Sequence, residues 1–143
     1  MKRTISLILV FMLCFGLCAC GTNDDSVSKY TGTYIKQSGG KGGDDAAAIE
    51  TTLILSADGT GSMVEKVKSP SAYDYLLYGY SAGYCFAKYE LTWEDNDGYL
   101  FIKATGTRYN YKGESKSEFT ESYELKGKVL YTLEGVCTDF IKE

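Results

Sequence analysis

Around residues 51–56 the chain alternates, with Leu53 and Leu55 on one side of an extended strand and Thr52 and Ile54 on the other. The same period of two returns at Tyr89, Leu91 and Trp93, which alternate with Glu90, Thr92 and Glu94, and at Leu100 and Ile102, which alternate with Tyr99, Phe101 and Lys103. It recurs at Phe119, Glu121, Tyr123 and Leu125. Such runs make half-buried antiparallel strands, apolar toward a core and polar toward water. Asp58-Gly59, Asp97-Gly98 and Lys126-Gly127-Lys128 lie between β-rich runs and predict tight hairpins. Strands are thus expected at residues 31–36, 51–56, 62–67, 84–94, 99–105, 107–112, 129–134 and 137–141, besides the one around Phe119. Gly135 is a break or bulge between the last two. The count is eight or nine.

One segment departs from the period. Ser69 suits a helix cap, Pro70 a first helical position and Gly79 an end, which predicts a short helix over 70–78. Helical spacing puts Tyr73, Leu76, Leu77 and Tyr80 on one face, expected to cover an end of the domain and to leave Tyr75 and Tyr78 toward solvent. An exposed tyrosine pair suits stacking on a sugar or contact with a partner protein. The competing reading is that Tyr73, Tyr75, Tyr78, Tyr80 and Tyr84 all plug and rim the domain. Elsewhere, the glycine-rich stretch at 38–45 lacks the spacing of a phosphate-binding loop and reads as a plain loop, with Asp45 able to cap a helical turn. Asp95-Asn96-Asp97-Gly98 lacks the ligand spacing of a calcium loop and reads as a turn.

The start of the chain is of another kind. Met1-Lys2-Arg3 is positive, residues 5–17 are uncharged, and polar residues follow from Gly21. That is a secretory leader, too short for a spanning helix of about 20 apolar residues. Leu17-Cys18-Ala19-Cys20 resembles the lipobox of bacterial lipoproteins, with Cys18 where that family more often has Ser, Thr or Ala. The resemblance implies a signal peptide over 1–19 and lipid on Cys20. It also implies a polar tether over 20–29, a domain over 30–143, and anchorage on the extracytoplasmic side of the cell membrane.

Without the leader, 13 basic residues face 19 acidic ones and Arg108 is the only arginine, so nucleic acid is not an expected partner. The chain contains no histidine. Nucleophilic catalysis then lacks its usual base, and neither a metal nor a cofactor is expected. Paired carboxylates, Glu90 with Glu94 or Glu121 with Glu124, could in principle serve glycosidase chemistry, but the first pair sits on the outer face of its strand and reads as a solvated surface. Cys85 and Cys137 are the only cysteines left free for one another, as a disulfide or as two buried thiols.

Consecutive short hairpins favour an all-β, antiparallel up-and-down meander closed into a barrel. Gly32-Thr33-Tyr34, Leu53-Ile54-Leu55-Ser56-Ala57-Asp58-Gly59-Thr60-Gly61 and Tyr123-Glu124-Leu125-Lys126-Gly127-Lys128-Val129-Leu130 resemble the lipocalin-like small lipoproteins of gut anaerobes. Lipocalins proper carry Gly-x-Trp on the first strand and a late arginine against that ring. Here Tyr34 takes the ring position and Arg108 lies too early to serve, so the resemblance implies a fold and not a ligand. The expected function is a monomeric binding module for a small apolar or sugar-like molecule or for an envelope protein. The alternatives are a structural or inhibitory lipoprotein with a filled core and, less favoured, a carboxylate-dependent glycosidase.

Overall fold

The computed structural model describes residues 29–39, 48–71, 75–76, 78–133 and 139–143. Eight strands follow in order: β1 (Gly32–Gly39), β2 (Ala48–Leu55), β3 (Thr60–Ser69), β4 (Cys85–Asn96), β5 (Tyr99–Asn110), β6 (Gly113–Lys126), β7 (Val129–Thr132) and β8 (Phe140–Lys142). Each pairs antiparallel with the next, and β8 returns to β1, closing the barrel. The all-β meander read from the sequence is present, with eight strands among the described residues.

The count is settled at Gly106. Residues 99–105 and 107–112, expected as two strands, are one continuous β5 with a short turn after it, in which Gly106 pairs with Tyr89 on β4 and Ser117 on β6. A Cβ at this position would run into the Lys88 carbonyl oxygen and stand 2.8 Å from Tyr89 Cα. The glycine is therefore where two backbones draw close, not a break. β8 begins at Phe140 rather than Cys137; Gly135 and Cys137, like Asp45, lie outside the described residues.

Opposed residues of an antiparallel ladder point to the same side, so the register sorts the chain into a lumen and an outer wall. Tyr34, Leu53, Met63 and Tyr89 form one inward row across β1 to β4, all buried. Outward on β4 and β5 stand Lys88, Glu90, Thr92, Glu94, Lys103 and Thr105, all exposed. On β4 and β5 the outer wall is thus polar around an apolar interior.

One end is shut. Tyr30 is fully buried, meets Trp93 edge-on at 6.0 Å, and donates its hydroxyl to the Gly98 carbonyl at 2.7 Å. Trp93 Nε1 donates to the carbonyls of Ser56 (3.1 Å) and Thr60 (2.9 Å). Burial raises the Tyr30 phenol above its ordinary value, and a hydrogen bond to Asp95 raises Lys29, which lies 3.1 Å from that carboxylate. The Asp97-Gly98 hairpin closes the same end; its φ values of 53° and 88° fit the doubly left-handed turn that matches strand twist. Asp95 Oδ1 accepts the Gly98 N–H at 2.9 Å.

The closing strand also supplies a cation for the first-strand ring. Lys142 Nζ lies 5.6 Å from the Tyr34 centroid and donates to the Lys29 carbonyl at 3.2 Å. A Cβ at Gly32 would meet Lys142 Cε at 2.7 Å, so the glycine makes room for this side chain. The barrel is thinnest here: β8 holds two residue pairs with β7 and two with β1.

Candidate functional site: the open half of the lumen

At the other end the inward positions become polar. One registered row runs Lys36, Thr51, Glu65, Ala87 and Arg108 across β1 to β5. Each is in phase with buried apolar residues of its own strand, as Lys36 is with Tyr34 and Glu65 with Met63 and Val67. β6 adds Ser117, Phe119 and Glu121 from the same side. Together with Tyr123 and Phe140 these side chains bound a cavity of about 240 Å³. Eight-stranded barrels are at the size where side chains either fill the interior or leave room for one small ligand. Here the closed half is filled and the open half is not.

Two cations and two carboxylates reach this cavity. Arg108 Nη2 lies 3.4 Å from Glu65 Oε2, and its Nη1 donates to the Tyr89 hydroxyl at 3.5 Å. Ala87, fully buried, stands between the two strands that carry the pair, and its short side chain leaves the path open. Lys36 Nζ sits 5.3 Å over the Phe140 ring. The Phe140 ring meets Tyr123 edge-on at 5.9 Å, and the Tyr123 hydroxyl donates to Glu121. Lys36 and Glu121 are more than 4.0 Å apart and form no ion pair.

The carboxylate pairs weighed in the sequence fall out differently. Glu90 and Glu94 are on the outer wall as read. Glu121 and Glu124 are three residues apart on a strand, which sends them to opposite faces. Glu121 points inward, while Glu124 pairs with Lys126 at 2.8 Å on the outside. The carboxylates that share the lumen are Glu65 and Glu121.

The segment after β3 also differs from its expectation. Residues 75, 76 and 78 are helical; the Tyr75 N–H donates to Ser71 at 3.0 Å and the Gly79 N–H to Tyr75 at 3.1 Å. Tyr80 is buried, but Leu76, assigned to the same covered face, is 79% exposed. Ring packing holds this stretch instead. Tyr75 does face solvent, whereas Tyr78 is half-buried and stacks on Tyr111 at 4.6 Å. Tyr80, Tyr84 and Phe86 extend this cluster along the rim, and the Tyr80 hydroxyl accepts the Tyr111 N–H at 3.2 Å. Burial raises the Tyr84 phenol above its ordinary value. Tyr75 and Tyr78 thus do not form an exposed pair. Tyr73 and Leu77 lie outside the described residues.

Cys85 is half-buried with its thiol 3.4 Å from the Ala87 carbonyl; the disulfide suggested with Cys137 falls outside the described residues, as does Cys20. Among the described residues no group of three or more Cys, Asp or Glu is placed to hold a metal. Sequence reading had not marked Lys36, Glu65 or Arg108. Their signal was present: each is a charge in phase with the apolar positions of its strand, where a solvated face would place it out of phase.

The chain matches no known protein family, no characterised protein and no solved structure at a meaningful level of similarity.

Proposed function

We propose that this protein is a lipid-anchored, extracytoplasmic binding module that takes one small polar ligand into the open half of its barrel. The observation that carries the reading is the cavity of about 240 Å³ lined by Lys36, Glu65, Arg108 and Glu121. Arg108 and Glu121 stay open to water at this mouth, so a ligand entering it meets reachable charges and can offer polar or charged groups in place of that water. The volume corresponds to about eight waters at ~30 Å³ each, below the usual range for drug-sized ligands. The charged lining moves the expected ligand from apolar to polar.

The lipobox-like Leu17 to Cys20 supports the anchor. Residues 20–28 would span at most about 30 Å when extended. They lead to Lys29 at the shut end, so the anchor would hold the mouth away from the membrane. The filled-core alternative draws on the closed half, where Tyr30 and Trp93 leave no space. For glycosidase chemistry the support is weak, because Glu65 is already engaged by Arg108 and Glu121 by Tyr123.

Native mass spectrometry of the full lipoprotein purified from its own cells tests the binding reading. A small-molecule adduct is expected, and Ser117→Leu, which fills the cavity, should remove it. No adduct in the wild-type protein and no signal from cell extract in ligand-observed NMR would favour the filled core. The anchor is tested separately by Cys20→Ala, which should release the protein from membranes and end labelling by a fatty-acid analogue; retention of both overturns it.

A further inference from the structure

Of the four charges that line the cavity, two are engaged with each other and two are not. Arg108 and Glu65 form an ion pair, and Arg108 also donates to Tyr89. Among the described residues Lys36 has the Phe140 ring and no carboxylate within 4.0 Å of its Nζ. Glu121 accepts the Tyr123 hydroxyl and has no cation within the same distance among the described residues. Both side chains border the same cavity, which the edge-to-face rings of Phe140 and Tyr123 also line.

We propose that the lumen recognises a zwitterion, a molecule with one carboxylate and one primary ammonium group such as an amino acid or a short peptide. Lys36 takes the carboxylate, Glu121 takes the ammonium, and the rings of Phe140 and Tyr123 support the carbon skeleton between. This deepens the lumen-binding reading and rests on it. A purely anionic ligand would leave Glu121 facing it, and a purely cationic one would leave Lys36. A neutral sugar would displace water from both charges and offer neither an opposite charge. A zwitterion answers each and keeps the lumen charge balanced. The cavity of about 240 Å³ admits a molecule of this size and excludes a long peptide. The Arg108 and Glu65 pair then marks the rim of the site, since Arg108 is half exposed while Glu65 is largely covered.

The test uses the full lipoprotein in detergent and calorimetric titration with glycine, 6-aminohexanoate and glycylglycine, against hexanoate and hexylamine as single-charge controls. At least one zwitterion should bind about tenfold or more tighter than either control, the weight of one charge-assisted hydrogen bond. Lys36→Met should let hexylamine bind as well as 6-aminohexanoate. Glu121→Gln should do the same for hexanoate, with melting temperature near wild type in both variants. The proposal is overturned if a control equals the best zwitterion, if the variants leave the preference unmoved, or if no probe binds. In that last case the adduct experiment separates the causes. An adduct removed by Ser117→Leu keeps the lumen as a binding site for another ligand class, and its absence ends both readings.

Discussion

Arg108 on β5 reaches past Ala87 to bring its guanidinium 3.4 Å from the Glu65 carboxylate on β3, two strands away. The contact exists because the residue between is alanine and because all three share one inward row. The Arg108 end is half exposed, and pairs open to water in this way contribute little to stability, since solvent already satisfies the guanidinium. A double-mutant cycle on Glu65→Gln and Arg108→Met in urea should give a coupling below about 1 kcal/mol. A larger coupling would make the pair a structural element rather than part of a mouth.

Ser117→Leu adds apolar volume to a cavity that has room for it. Stability should change by less than about 1.5 kcal/mol, as for tolerated core swaps. Loss of several kcal/mol in denaturant titration would mean that the space is filled already.

Gly106→Ala places a methyl against the Lys88 carbonyl and the Tyr89 backbone, inside a ladder paired on both sides. Backbone cannot give way as a flexible side chain would. The substitution should cost about 1 to 3 kcal/mol, read as a drop in the urea midpoint. An unchanged midpoint would place β4 and β5 further apart than described.

Tyr34 is fully buried, donates to the Tyr30 carbonyl at 2.7 Å, and has its phenol pushed up to about 12 by burial. The folded state therefore holds the proton more tightly than the unfolded chain, where the value is near 10. Its contribution is fully present below pH 10 and is lost as pH rises from about 10 through 12. Folding free energy measured across this range should fall more steeply in the wild-type protein than in Tyr34→Phe. Equal slopes would show that the phenol is not held neutral by the fold.

Hydrogen exchange should be uneven around the barrel. Amides of β4, β5 and β6 lie in ladders of ten to twelve residue pairs, whereas β8 has two pairs on each side. Opening free energies follow local pairing and burial. Amides of β7 and β8 should exchange first, and uniform protection would mean that the barrel opens only as a whole.

The alternation of Leu53 with Ile54, and of Tyr89, Leu91 and Trp93 with their acidic neighbours, is written residue by residue, and side-chain period alone assigns those faces. The hairpins at Asp58-Gly59 and Asp97-Gly98 were equally plain, because left-handed turns admit few residue types. Closure into eight strands was not local. β8 is three residues long, and only its pairing with both β7 and β1 makes it a strand. Gly106 looked like a break because sequence shows a missing side chain but not the backbone that comes near it. The rim cluster of Tyr78, Tyr80 and Tyr111 was hidden for a similar reason, since Tyr111 comes from a different hairpin. In the lumen, each charge could be seen in phase with its own strand. Which charges meet and which stand unanswered depended on the register of five strands around a closed sheet, a long-range quantity that no single strand carries.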